Sequence, residues 1–168
     1  MAYNICRSSR LIGNLNASAL EASLNEIISR HETLRTAFRL VDGRPVQVVQ
    51  AIRNNSIEFV DLRAMPDEEC DAEIQHRIKA EAQRPFDLSA GRLLRCTLLR
   101  VGDQEHVLIL MTHHSASDAW SMGILTRELW TLYEAFSNGK PSPLERLPVQ
   151  SSDYAVWQRD WLQGDVLD

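Results

Sequence analysis

Two adjacent histidines, His113 and His114, follow a run of apolar residues, and Asp118 comes four positions after the second histidine. Side chains of these types at this spacing allow three interpretations: a metal site, a catalytic base with a supporting acid, or two structural histidines. An imidazole, with an ordinary pKa of about 6.5, is mostly neutral at pH 7 and can accept a proton. In the catalytic interpretation, Asp118 opens the next helix, and its carboxylate holds the intervening loop by accepting backbone N–H bonds and pairing with an arginine.

Geometry argues against a metal site. Neighbouring residues of a strand point to opposite faces of the sheet, so His113 and His114 do not share one ion while both remain extended. Asp118 and a single histidine give two ligands, fewer than a tetrahedral site needs. No two of the three cysteines have CxxC spacing, so we expect neither a zinc site nor a disulfide framework. Spacing alone does not separate a catalytic histidine from two structural ones.

The bulk composition predicts one ordinary globular domain. The chain has 168 residues, of which 44% are hydrophobic and 24% are charged, and its net charge is −5. Because the basic residues are scattered, we expect no nucleic acid partner. No segment reaches the roughly 18 consecutive apolar residues that cross a membrane, and the first ten residues lack the apolar core of a signal peptide. A cytoplasmic location is therefore expected.

Apolar residues at helical spacing predict four helices. Their expected boundaries are a capping box at Ser18–Glu21 for the first, Pro66 and Pro85 around the second, Asn138-Gly139 at the end of the third, and Ser151 or Ser152 at the start of the fourth. The aromatic stripe of the fourth helix, Tyr154, Trp157 and Trp161, is interpreted as packing.

Other apolar runs predict strands. Asp42-Gly43 is typical of a type I′ hairpin turn, and a short strand is expected at residues 57–62. Two further strands join across Gly102-Asp103. The second of them is apolar at five consecutive positions, residues 107–111, as in a central strand covered on both faces. The fold class is therefore α/β (α+β), with helices packed on a mixed, largely antiparallel sheet.

Four stretches resemble the condensation domains of nonribosomal peptide synthetases. MTHHSASDAWSMGILTREL, residues 111–129, resembles the HHxxxDG signature of the peptide-bond-forming members. RHETLRTAF, residues 30–38, resembles their RHExLRxxF motif, SSDYAVWQRDWL, residues 151–162, resembles YxDYAxWQ, and AYNI resembles the end of their first core motif. The stretches occur in the order found in the family. This resemblance implies a chloramphenicol-acetyltransferase-like fold, with residues 1–168 as the N-terminal half of a domain that lacks its short opening segment and its second half.

The resemblance also implies an activity and a set of site residues. Such a domain joins the acyl thioester on one carrier domain to the amine of an aminoacyl thioester on another. Both are held by 4′-phosphopantetheine on the carriers, and the domain binds no cofactor itself. His114 is then the active-site residue, His113 supports it from within the protein, and Asp118 is a structural carboxylate. Arg30 and Arg35 are the candidate ion-pair partners of Asp118, and an arginine outside this chain is the alternative.

The chain departs from the family signature at one position, where Ala119 replaces the glycine after the aspartate. Two explanations remain open: the position requires a positive φ, which strains alanine, or it needs only a small side chain beside the substrate tunnel. The resemblance places Ala119, Trp120 and Ser121 along that tunnel. A lone half should expose a large apolar patch, self-associate through it and not catalyse condensation by itself.

Two other functions are compatible with the same residues. The first is a non-catalytic module that binds carrier domains and whose histidines are structural. The second is a small acyltransferase that completes its site between subunits of an oligomer. Epimerisation domains also carry HHxxxD, although residues 118–129 are more similar to the condensing type.

Overall fold

A computed structural model describes residues 3–163 of the chain. The elements follow in the order β1 (Asn4–Ile12), α1 (Ala17–Arg30), β2 (Thr36–Val41), β3 (Arg44–Val49), β4 (Glu58–Asp61), α2 (Asp67–Gln83), β5 (Leu94–Gly102), β6 (Glu105–His113), α3 (Ala119–Ser137) and α4 (Ser151–Trp161), with short 3₁₀ turns at Glu32–Arg35 and Leu88–Ala90. No helix in this part of the chain is both long enough and apolar enough to cross a membrane.

The main sheet has four strands in the order β1-β6-β5-β4. β6 pairs antiparallel with both β1 and β5, whereas β4 pairs parallel with β5. β2 and β3 form a separate antiparallel hairpin. The predicted mixed, largely antiparallel sheet is confirmed.

The central strand β6 is covered on both faces. Leu108 and Leu110 belong to the apolar cluster formed with α1 and α3. Their neighbours Ile109 and Met111 belong to a second cluster, which α2 covers. Because side chains alternate along a strand, one run of apolar residues serves both layers. This rigid strand ends at His113 and so carries the two histidines.

Two predicted turn features are confirmed. Asp42 and Gly43 have φ angles of 51° and 73°, which are the two positive values of a type I′ turn. Asn138 ends α3, and Gly139 follows it in the left-handed region with φ 66°.

The caps that the sequence suggested for the first and fourth helices are wrong by one or two residues. α1 is capped by Asn16, whose side chain accepts the N–H of Ala19 at 3.0 Å, and Ser18 already lies inside the helix. α4 is capped by Gln150 and not by Ser151 or Ser152, because Gln150 and Asp153 bond each other's backbone reciprocally. Several neighbouring polar residues satisfied the cap pattern, and only the backbone conformation selects one of them.

The packing role predicted for the aromatic stripe of α4 is also wrong for this structure. Tyr154, Trp157 and Trp161 are 53–54% exposed, and the two tryptophan rings stack on each other with centroids 5.6 Å apart. The helix is held through its cap, since Gln150 donates to the carbonyl of Arg30 at 3.0 Å and accepts the N–H of Glu32 at 3.3 Å. α4 therefore presents an aromatic face that nothing in residues 3–163 covers.

Candidate active site

His114 is the first residue after β6 and lies at an open surface. Its backbone N–H donates to the carbonyl of Tyr3 at 2.8 Å, which extends the pairing of β1 and β6 by one residue. Its side chain is exposed, and within residues 3–163 the structure gives the imidazole no hydrogen-bond partner. Both ring nitrogens are therefore free to meet a substrate.

His113 points the other way, toward the α2 side of the sheet. Its ring meets the edge of Phe86, with centroids 6.1 Å apart at an interplanar angle of 70°. Its Nδ1 accepts the backbone N–H of Ser115 at 3.1 Å and lies 2.8 Å from the Ser115 hydroxyl. Because a backbone N–H only donates, the neutral ring carries its proton on Nε2. Burial, and then the neighbouring His114, lower the pKa of His113, which favours this neutral form.

The side chain of Phe86 is held in place by Arg95. The guanidinium of Arg95 lies 3.8 Å from the centroid of the Phe86 ring, a cation–π contact. Arg95 also pairs with Glu81 at 3.1 Å and donates to the carbonyl of Arg84 at 2.9 Å. The C-terminal end of α2 is thereby fixed beneath the ring of His113.

Asp118 caps the helix that follows the histidines. Its carboxylate accepts the backbone N–H of Ser121 at 2.7 Å and the Ser121 hydroxyl at 2.6 Å. These hydrogen bonds, the hydroxyl first, lower the pKa of Asp118, so the carboxylate stays ionised at neutral pH. A negative charge at this position also interacts favourably with the positive end of the α3 dipole.

The expected ion pair between Asp118 and Arg30 or Arg35 is absent from the described residues, because both arginines have other partners. Arg30 pairs with Glu128 of α3 at 3.2 Å. Arg35 donates to the carbonyl of Gln50 at 2.7 Å. Arg30 therefore joins α1 to α3, and Arg35 joins the 3₁₀ turn at Glu32–Arg35 to the end of the β2–β3 hairpin.

Sequence reasoning missed Glu128. This carboxylate accepts from Arg30 and also lies 2.6 Å from Nε2 of His31, so it joins the end of α1 to α3. The sequence feature that could have indicated this pairing is an acidic residue on the helix face that also carries Leu125, Leu129 and Leu132. A charge on such an apolar face is costly unless it has a partner.

Ala119, Trp120 and Ser121 form the first turn of α3. Ala119 is exposed, and Asp42 is the one non-glycine residue with a positive φ in residues 3–163. Strain at Ala119 is therefore excluded, and the need for a small side chain beside the tunnel stays a prediction. Trp120, six residues after His114 in the chain, is 81% exposed, so a large apolar side chain at the start of α3 is left uncovered by the described residues.

A cavity of about 250 Å³ lies against the loop between β6 and α3. Ser117, Ser121 and Ile124 line it from the loop and α3, and Leu34 and Ser151 line it from the facing segments. Within the described residues, no group of three or more His, Cys, Asp or Glu side chains is placed to hold a metal ion. The arrangement is thus an exposed imidazole on a braced turn beside a small cavity.

The model of the condensation-domain family matches residues 1–167. The chain belongs to the condensation-domain family. It is 48% identical to a linear gramicidin synthase of Brevibacillus parabrevis over 99% of the chain and 2% of that protein. It is 43% identical to malpinin synthetase of Mortierella alpina, over 98% of the chain and 2% of that protein. The chain spans a small part of these relatives.

Solved structures share the fold. The X-domain from teicoplanin biosynthesis matches with a TM-score of 0.86 at 29% identity, over 96% of this chain and 34% of that one. The SgcC5 protein from Streptomyces globisporus matches with a TM-score of 0.82 at 28% identity, over 97% and 37%. The chloramphenicol-acetyltransferase-like fold expected from the sequence is confirmed. The chain spans about a third of the length of these structures.

Proposed function

We propose that this chain is the N-terminal half of a condensation domain whose parent synthetase forms amide bonds. The observation that carries the proposal is the placement of His114: an exposed imidazole at the end of the central buried strand, in a chain that matches the condensation-domain family over nearly its whole length. The acyl group arrives as a thioester on one carrier domain, and the accepting amine arrives on a second carrier.

Amide formation requires only a small contribution from His114 to proton transfer. An α-amine has an ordinary pKa of about 7.7–8.0, so a useful fraction is already neutral at pH 7. The amine nitrogen attacks the thioester carbonyl carbon, the C–S bond breaks, and the proton lost by the amine ends on the departing thiol. His114 orients the amine and holds that proton in between, a contribution of about 10²–10⁴-fold. Alignment of the two substrates supplies the larger share, roughly 7–11 kcal/mol.

The first turn of α3 has a smaller part in this reaction than its position suggests. Backbone N–H groups at a helix start often stabilise an oxyanion. Here the N–H of Ser121 is already bonded to Asp118. We therefore assign Asp118 to holding the loop, and the N–H of Ser121 is not available to an oxyanion.

The proposal also concerns what covers the open side of the site. The matched solved chains are nearly three times as long as this one, and α4 exposes an aromatic face. A second subdomain would cover that face and form the far wall of a tunnel over His114. Alone, the chain would self-associate through α4 and catalyse no condensation.

A transfer assay tests this function. The complete domain that contains this chain is mixed with one carrier loaded with a donor aminoacyl group and a second loaded with an acceptor, and the intact carriers are weighed by mass spectrometry. We expect the acceptor carrier to gain the donor acyl mass. Carriers that bind the domain without any transfer would contradict the proposal and favour the non-catalytic binding module.

A further inference from the structure

The loop that carries His114 is a tight turn. β6 ends at His113 and α3 begins at Ala119, so five residues connect a buried strand to a buried helix. The backbone N–H of Ala116 donates to the carbonyl of His113 at 2.9 Å, which closes a turn with His114 as its second residue. The direction of the His114 side chain therefore depends on how the two ends of this turn are fixed.

Two buried hydroxyls connect those ends. Thr112, the residue before the histidine pair, is completely buried, and Ser117, the residue before Asp118, is 8% exposed. Their side-chain oxygens are in direct hydrogen-bond contact across the turn. The Thr112 hydroxyl also lies 3.5 Å from the sulfur of Met122 in α3.

Apolar packing does not explain this pair. The apolar cluster on this face of the sheet includes Leu94, Leu110, Met122 and Leu125. Thr112 lies on β6, the strand between β5 and β1. Valine has nearly the shape of threonine and would fill the same space without a polar atom. What a hydroxyl adds here is a directional bond from the last buried residue of the strand to the residue that precedes the helix cap.

We propose that Thr112 and Ser117 are positioning residues that set the direction of the His114 side chain in the active site. Thr112 is completely buried, and the Ser117 hydroxyl, at the wall of the small cavity, is bonded to Thr112, so both act through the backbone of the turn. This inference deepens the proposed function and rests on it. A displacement of about 1 Å at a reacting group is enough to cost up to about 10²-fold in rate.

Two variants of Thr112 separate positioning from packing. Thr112→Val keeps the shape and loses the hydroxyl, whereas Thr112→Ser keeps the hydroxyl and loses a methyl group. In the complete condensation domain we expect Thr112→Val to lower kcat for acyl transfer about tenfold with KM nearly unchanged. Thr112→Ser should transfer at close to the wild-type kcat although it removes more packing. Ser117→Ala should resemble Thr112→Val, and the double variant should be no slower than either single one.

Ser23 provides a matched control. It is also fully buried, and its hydroxyl donates to the carbonyl of Ala19 at 2.7 Å inside α1, away from the turn. Ser23→Ala should lower stability and leave kcat unchanged. Wild-type kcat in Thr112→Val, or an equal loss of kcat in Thr112→Ser or Ser23→Ala, would overturn the proposal.

A second readout keeps the inference separate from the proposed activity. With ¹⁵N-labelled histidine in the same domain, the His114 ring signals, assigned with His114→Gln, should move in Thr112→Val and stay in place in Thr112→Ser. If the wild-type domain transfers nothing, the proposed function has failed, and these signals still decide the positioning role. Unmoved signals in Thr112→Val would reject it.

Discussion

At the scale of the residue, two identical side chains next to each other in the sequence have opposite environments. His113 is packed against Phe86 and bonded to Ser115, whereas the ring of His114 is exposed. The side chain of His113 follows the alternation along β6, of which it is the last residue, whereas His114 is the second residue of the turn that follows. One imidazole is thereby fixed as a neutral acceptor, and the other is left for substrate.

A pH dependence of stability follows from the buried histidines. Burial lowers the pKa of His106 and of His113, with Arg100 adding to the effect on His106 and His114 to that on His113. Below about pH 6.5 the unfolded chain binds protons that the folded chain does not yet accept. The stabilisation that comes from keeping these histidines neutral is therefore fully present above about pH 6.5. It is lost as the pH falls toward the lowered pKa values that His106 and His113 have in the folded state.

We expect the free energy of unfolding to fall between pH 7 and pH 5, measured by urea denaturation. The carboxylates with lowered pKa values, such as Asp118 and Asp87, lose their contribution at a lower pH and do not obscure this range. His106→Leu should flatten the dependence, because Nδ1 of His106 is buried without a hydrogen-bond partner in the described residues. Stability that is constant or rises from pH 7 to pH 5 would contradict this account.

Sequence reasoning identified the catalytic candidates but not all of their partners. The orientation of His113 is local and could be predicted from the strand, whereas the turn that carries His114 could not. The partners of Arg30 and Arg35 could not, because ion pairs between long side chains depend on how distant elements pack. Arg30 pairs with Glu128 of α3, and not with Asp118, at 3.2 Å across the α1–α3 interface.

At the scale of the element, periodic patterns predicted the helices, the hairpin and the central strand. β1 was missed as a strand because NICRSSRLI has no regular alternation of apolar and polar residues. It is an edge strand that forms through its pairing with β6, in a register that aligns Asn4 with His113. A strand defined by its partner gives little local signal.

The attachment of α4 gives a prediction at this scale. Gln150 caps the helix and also bonds Arg30 and Glu32, so Gln150→Ala removes both the cap and the docking bonds. Loss of a cap costs about 1 kcal/mol, and we expect roughly fivefold faster hydrogen exchange of the α4 amides with little change in α3. Ser151→Ala is the matched control, since that hydroxyl does not cap the helix. Equal acceleration by both variants would refute the role of Gln150.

At the scale of the whole molecule, the proposed function makes the described residues one face of a site. The sheet and its two helical layers hold His114 rigidly, but the imidazole, Trp120 and the aromatic face of α4 all remain uncovered. The exposed α4 could not be foreseen from its sequence, because an aromatic stripe at helical spacing looks the same whether its partner lies in this segment or in another. The uncovered surfaces are consistent with a domain completed by a further subdomain.

The most direct test of this account is the single-turnover rate of acyl transfer by the complete domain. We compare the wild type, His114→Ala and the control His76→Ala, whose histidine is exposed on α2. The account predicts a rate at least about 10²-fold lower for His114→Ala, a wild-type rate for His76→Ala, and no transfer by residues 1–168 alone. Transfer by His114→Ala at the wild-type rate would contradict it.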